Sequence, residues 1–514
     1  MKGNKNNLIK YIYTVLVFGV LCKSIVLIKD LQLASTFGSS LIVDNLIMSQ
    51  SMIGLPIMIV NTILTASFIP EYLKVKKIKG DAKAEEFFLK ITFKVILLSL
   101  LFSAALFVFK DYYIYIFASG YRDDKLILLS SMFSISLIGV TFTIVTNMLT
   151  LRFQAVNEYK ITTLVAVPQT ILIMVVIYGS SIYNNKYLAY VNIVGPIVGF
   201  VFLLYFYLKI NIVIKKISLI KLLHISNEEK AIFFLAAPLL ISSLFNQVNL
   251  IVDRNIISSF DDGSLSSMSY AVKICTIFSS ILMPVLAVFL PSLSEKSAQN
   301  RKDEISSEIR NILINTFYLL LPILAFISIN SLDIVKMVFM RGAFTLSDAE
   351  NTAYLMLPYL FSLAFFQFAN GVFVRGFFSI KKINITIGIN LVTVVVNILG
   401  NYYLSNYLGI YGIALSTLIA CIVGFVLYMI SFSKEFCDFF NYKLIREICT
   451  SVFITLFSVI VFNIFMEYSI IFSHSSFIVS LFMKFIFFAF IFIVFSCLFK
   501  VSYYINLIKM KGIT

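Results

Sequence analysis

An all-α polytopic membrane protein of about fourteen transmembrane helices, in two six-helix lobes plus two C-terminal helices, is the architecture this sequence predicts. Three observations predict it. The 514 residues are 60% hydrophobic and 13% charged, with mean hydropathy +0.95, about half the charge of a soluble domain. Nonpolar runs of about 20 residues, the length that crosses a bilayer, recur from end to end. One set of landmarks also returns at an offset of about 222 residues. A soluble globular enzyme and a disordered scaffold are both excluded.

A window of that length places spans near 9–34, 45–70, 88–109, 127–150, 159–180, 187–208, 231–257, 267–291, 309–330, 349–374, 383–404, 409–432, 446–468 and 476–499. The first resembles a signal peptide. It continues through Lys23 and Lys29 with no small-residue cleavage site, so it reads as an uncleaved span. With the N-terminus inside, inner segments hold about 28 basic residues and outer ones about 7. The richest inner stretches are 74–83, 209–221 and 295–310. Both termini are therefore expected in the cytoplasm. The net charge of +15 belongs to these loops rather than to one polar face, which argues against nucleic acid. Tyrosine, at 27 residues against no Trp, must supply most of any interfacial belt.

The repeat carries the lobe division. Ser35-Thr36-Phe37 and Phe68-Ile69-Pro70 return as Ser258-Ser259-Phe260 and Phe289-Leu290-Pro291. Gly120 matches Gly342, Asn147 and Arg152 match Asn370 and Arg375, and Lys160 matches Lys382. An even number of spans per repeat preserves orientation, so the repeat is parallel, with an axis expected along the membrane normal. The expected division is 1–222 (spans 1–6), 223–433 (spans 7–12) and 434–514 (spans 13 and 14).

Charge inside hydrocarbon needs a reason, since each such residue costs about 2.5–3.5 kcal/mol on insertion scales. Span 1 carries Lys23, Lys29 and Asp30, span 2 opens with Asp44, and span 8 carries Lys273. Span 7 carries Asn246, Asn249 and Asp253 on one helical face, followed by Arg254. These spans lead the two lobes, where a central cleft with a midplane binding site is expected. A cleft with several cations and few acids selects an anion, and a compact ammonium serves phosphate as a point charge. The bland alternatives are that Lys23 snorkels and that Lys29, Asp30 and Asp44 form an outer cluster. Lys90, Lys94 and Lys484 read as snorkelling lysines. Asn397, Asn401 and Thr417 on spans 11 and 12 form a candidate monovalent-cation site; interhelical hydrogen bonding is the competing account.

Enzyme chemistry finds no support. His224 and His474 have no partner motif, and no P-loop, HExxH or GxSxG occurs. The six cysteines (Cys22, Cys275, Cys421, Cys437, Cys449, Cys497) form no CxxC pair, so no metal or disulfide framework is expected. No cofactor is expected beyond coupling to a monovalent cation or the membrane potential, and the cleft requires no obligate oligomer. A transporter with no catalytic residues is the expectation.

The segments LQLASTFGSSLIVDNLIMSQ, TASFIPEYLK, LIVDRNIISSFDDGSLSSMSYAVKI, LPSLSE, MVFMRGAFTLSDAENTAYLMLPY and IYGIALSTLIA resemble the lipid II flippases of the MurJ/MviN family, within the multidrug/oligosaccharidyl-lipid/polysaccharide flippase superfamily. The resemblance covers most of 20–430. It implies fourteen helices around a cationic cavity, a bacterial cytoplasmic-membrane location, and an undecaprenyl-diphosphate-linked peptidoglycan precursor as substrate. The family's cavity arginines map onto Lys23, Lys29 and Lys273, and its first-loop aspartate onto Asp44. A further arginine usual in span 2 is absent, where the chain reads GLPIMIVNTILTASF. That departure leaves another lipid-linked capsule or O-antigen unit as the alternative substrate. A drug/cation antiporter of the same superfamily fits less well, since it would want acids in the cleft.

Overall fold

The structure is a computed structural model that describes residues 21–209, 240, 243–245, 247–436, 439–468 and 477–499. Asn246, Cys437, His224, His474, the segment 210–221 and the N-terminal half of span 1 lie outside the described residues. Among the described residues there is no strand. Twelve helices among the described residues are long and apolar enough to cross a membrane, and they overlap twelve of the expected spans. The other two, spans 1 and 7, are described in part, as helices over 21–37 (α1) and 247–257 (α9).

Contacts divide the chain into two compact units. The first runs to Ser266 and includes Arg341–Thr345. After α1 it contains α2 (Leu41–Lys79), α3 (Asp81–Val108), α4 (Lys110–Ala118), α5 (Asp123–Ala155), α6 (Tyr159–Leu164), α7 (Ala166–Ile182), a 3-10 turn (Asn185–Tyr190), α8 (Val191–Lys209) and α9. With 39 residues, α2 is about 58 Å long at 1.5 Å per residue, far beyond the roughly 30 Å hydrocarbon core. Its surplus turns carry Lys76, Lys77 and Lys79 against the negative helix end, and it stops at Gly80. The inner core is aromatic: Phe68 stacks on Phe87 at 6.2 Å, and Phe88 meets Tyr207 at 5.5 Å.

The second unit contains Ser267–Met340 and the chain from Leu346 onward. Its elements are α10 (Ser264–Ala298), α11 (Lys302–Ile329), α12 (Ser331–Phe339), α13 (Leu346–Leu360), a π turn (Phe361–Phe366), α14 (Gln367–Ser379), α15 (Ile383–Leu408), α16 (Ile410–Glu435), α17 (Tyr442–Tyr468) and α18 (Phe477–Leu498). The π turn interrupts span 10 three residues after Pro358, which has no amide to donate. Phe317, Phe365, Phe373, Phe425 and Phe432 form its core. The two added helices dock on α11 and α12: Phe326 of α11 meets Phe462, Phe485 and Phe488, Tyr318 of α11 donates to Glu447 at 2.8 Å, and Lys484 pairs with Asp333 of α12 at 2.8 Å. Lys484 is thus an ion-paired residue, and so is Lys90, which meets Glu86 at 2.8 Å. In each pair a carboxylate within reach neutralises the ammonium where it stands.

The repeat is visible in element lengths. Both α3 and α11 have 28 residues and start at 81 and 302. The helices that follow, α4 and α12, have nine residues each and start at 110 and 331. These two short helices escaped the hydropathy window, being too short to span. In α4 the pattern is amphipathic, with Ile114, Phe117 and Ala118 buried and Tyr112 and Tyr115 70% and 65% exposed, as an interfacial helix requires.

Candidate functional site

The end of the first unit where α2 begins is tied together by one carboxylate. Asp44, in the first turn of α2, is 3% exposed and accepts from the Gly263 amide (2.7 Å, Oδ2) and the Ser266 amide (2.7 Å, Oδ1). Those amides open α10, so Asp44 caps a helix some 220 residues away, satisfying two donors that the helix itself cannot. Gly263 has φ +88°, and a Cβ there would lie 2.7 Å from the Ser39 carbonyl oxygen, so the turn requires glycine. Around it Gly120 donates to Ser258 at 2.9 Å, Ser119 to Asn255 at 3.0 Å, and Arg254 Nε to Ser51 at 3.0 Å. Lys125 pairs with Asp262. Ala343 donates to the Ser35 carbonyl at 2.7 Å. Burial pushes the Tyr121 phenol above its usual range, and the charges of Asp44 and Asp262 push the same way. The stretches 254–266 and 341–345 are therefore clamped onto the end of the first unit formed by the C-terminus of α1, the N-terminus of α2 and the C-terminus of α4.

The expected cations fall on both units. Lys23 is exposed on α1. Lys29 is 24% exposed and pairs with Asp30 at 3.2 Å, so the N-terminal cationic pair carries its own acid. Asp44 stands apart from this pair in its partners, because both of its oxygens accept from backbone amides. On α10, in the second unit, the half-buried Lys273 sits over the Tyr270 ring at 5.4 Å, a cation–π contact that steadies the ammonium. On α9, Asn249 and Asp253 are half-buried, and Asn249 Oδ1 is a buried acceptor with no hydrogen-bond partner.

The candidate cation residues form a closed network in the second unit. Asn397 donates to Ser416 and Thr417, each at 3.2 Å, and Asn401 donates to Asn397 Oδ1 at 3.1 Å. Ser416 in turn donates to Asn401 Oδ1. Asn397, Asn401 and Ser416 are buried. These side chains satisfy one another across α15 and α16, as interhelical hydrogen bonding predicts.

One buried constellation was missed from the sequence. Arg152, 4% exposed, donates to Glu85 Oε1 from Nε (3.1 Å) and Nη2 (2.8 Å). Tyr72 donates to the same oxygen at 2.7 Å, and Tyr207 to Oε2 at 3.1 Å. The guanidinium also lies 5.1 Å from the Tyr207 ring. Arg152 entered the sequence reading only as a repeat landmark. The available signal was a lone arginine near the end of span 4, with acids just before span 3.

Membrane-length helices, a six-helix pattern used twice, and lysines on the leading spans of each half define a two-lobed polytopic membrane transporter. Comparison with known proteins gives it a family. Residues 33–495 match the sequence profile described as Lipid II flippase MurJ, and the chain belongs to that family. Two curated relatives, each named Probable lipid II flippase MurJ, come from strains of Buchnera aphidicola. The one from subsp. Acyrthosiphon pisum is 24% identical over 82% of this chain and 83% of the relative. The one from subsp. Schizaphis graminum is 25% identical over 88% and 90%. Among solved structures, the lipid II flippase MurJ in an inward closed conformation superposes with a TM-score of 0.76 at 17% identity, over 97% of this chain and 100% of that one. An inward-facing MATE multidrug transporter superposes at 0.67 and 12% identity, over 83% and 99%. These structures share the fold.

Proposed function

We propose that this chain is a lipid II flippase, moving an undecaprenyl-diphosphate-linked peptidoglycan precursor from the inner to the outer leaflet of the bacterial cytoplasmic membrane by alternating access. The family match along 33–495 carries this reading. Lys273 of the second unit, with Lys23 and Lys29 of the first, neutralises the diphosphate while the isoprenoid tail stays in lipid. Asp30 beside Lys29 lowers the net charge at that end, so Lys273 holds the larger share. The test is complementation of a strain depleted of its own lipid II flippase. Growth at normal shape is expected; lysis with intact membrane expression overturns lipid II as substrate.

Both termini face the cytoplasm in this reading. A cysteine placed within Asn184–Lys186 therefore reacts with an impermeant thiol reagent added outside, and one at Lys77 reacts only after permeabilisation. Reversed labelling inverts the topology.

Coupling to a small cation would use Asn397, Asn401 and Thr417, whose neutral oxygens can replace part of a hydration shell. Asn401→Leu is then expected to abolish the sodium dependence of transport in vesicles. Transport indifferent to sodium in the parent protein removes the site.

A further inference from the structure

The exposed face of α2 carries a pattern that the lysines do not explain. Positions 50, 54, 57, 61 and 65 fall within about 80° of one another on an α-helix. They read Gln50, Gly54, Ile57, Asn61 and Thr65, and none is buried. Hydrocarbon offers an amide no hydrogen-bond partner, so a helix stripe facing lipid is apolar. Three of these five, Gln50, Asn61 and Thr65, are polar. A Cβ built on Gly54 would meet nothing within 4 Å, so the stripe borders open space one turn from Gln50.

Both amides on the stripe are held from behind. Gln50 Nε2 donates to Asn192 Oδ1 at 2.9 Å, and Asn192 is itself fixed by donating to Ser49 (3.2 Å) and Ser136 (2.8 Å). Eleven residues along, about 16 Å at 1.5 Å per residue, Asn147 donates to Asn61 Oδ1 at 3.0 Å. Each contact uses one hydrogen-bonding group of the α2 residue. Gln50 retains Oε1 and a second N–H, and Asn61 retains its amide nitrogen. The repeat adds a contrast: at the offset of 223 that relates the first residues of α2 and α10, Gln50 falls on the position of Lys273. One half of the protein presents an amide where the other presents a cation.

A diphosphate offers acceptors only, and lysine answers it. Sugars with hydroxyl and acetamido groups, and a peptide stem, offer donors and acceptors together, which is what an amide matches. We propose that Gln50 and Asn61, backed by Asn192 and Asn147, form an amide track that hydrogen-bonds the uncharged glycan and peptide portion of the lipid-linked substrate. This rests on the flippase reading above and assigns that headgroup a set of contacts distinct from the lysines.

The experiment measures binding of two lipids, lipid II and bare undecaprenyl diphosphate, to the purified full chain by native mass spectrometry. The parent protein is expected to prefer lipid II. Gln50→Leu and Asn61→Leu each reduce that preference by roughly tenfold, the value of one or so hydrogen bonds, and leave undecaprenyl diphosphate bound as before. The bare lipid thus reports that the variants fold, and Gln50→Ala repeats the test with less bulk. Unchanged preference in the variants, or equal loss of both lipids, overturns the track and leaves the flippase reading standing. A parent protein that binds neither lipid overturns both.

Discussion

Lys273→Ala is expected to abolish flipping at unchanged protein level in the membrane, whereas Lys273→Arg should retain most of it. The side chain is half-buried on α10, over the Tyr270 ring, and the proposed role needs its charge rather than its shape. Losing one charge-assisted hydrogen bond in a partly dry site costs about 1.5–3 kcal/mol, on the order of ten- to a hundredfold in affinity. Lys273→Glu adds repulsion and is expected to be at least as severe. A merely structural lysine behaves otherwise: alanine lowers expression or has no effect. The comparison is made by lipid II translocation in proteoliposomes normalised for protein. Full transport by both Lys273→Ala and Lys29→Ala removes the lysines from the mechanism.

The largest stability effect is expected inside the first unit. Glu85→Ala strips Arg152 of its carboxylate and leaves the Tyr72 and Tyr207 hydroxyls without their acceptor. Breaking a buried ion pair by removing one partner costs about 3–5 kcal/mol, because an uncompensated charge remains. The variant should therefore accumulate poorly and unfold well below the parent in detergent. Removing the charge along with its partner, in Glu85→Gln with Arg152→Met, should recover much of that loss, since a neutral pair of similar volume carries no stranded cation. Equal stability of Glu85→Ala and the parent would mean that the cluster is solvated in the membrane-bound protein. Neither residue touches the proposed headgroup contacts, so the double variant separates folding from transport.

Nearly all of the fold was legible in the chain. Among the described residues twelve expected spans return as helices, several of them carried well past their expected limits by polar end turns, as α2 is to Lys79, because the cost of burying backbone and charge in hydrocarbon acts on each segment separately. What hydropathy missed was short: α4 and α12, nine residues each, lie below the length that a spanning window registers. The repeat was legible for a related reason, since its landmarks keep their spacing wherever the helices pack. Family membership could likewise be read from linear motifs, and the match along 33–495 carries it.

The candidate site was legible in its residue types and not in its partners. Sequence alone determined that Lys23, Lys29, Asp44 and Lys273 stand in or beside nonpolar spans, because the anomaly of a charge is a local property. Only the tertiary structure decided what each one meets. Lys29 finds the adjacent Asp30, Asp44 caps α10 from 219 and 222 residues away, and Arg152 reaches Glu85 across 67. Asn397 and Asn401 close a network with Ser416. Gln50 shows the same limit from the other side. As one amide in a polar-flanked stretch of span 2 it carries no signal of its own; Asn192 behind it and the open space beside Gly54 are what single it out. A hydropathy profile counts what a side chain costs in hydrocarbon. Whether that cost is met by a carboxylate, a helix end or a substrate depends on residues brought together by packing, and their separation along the chain carries no signal of it.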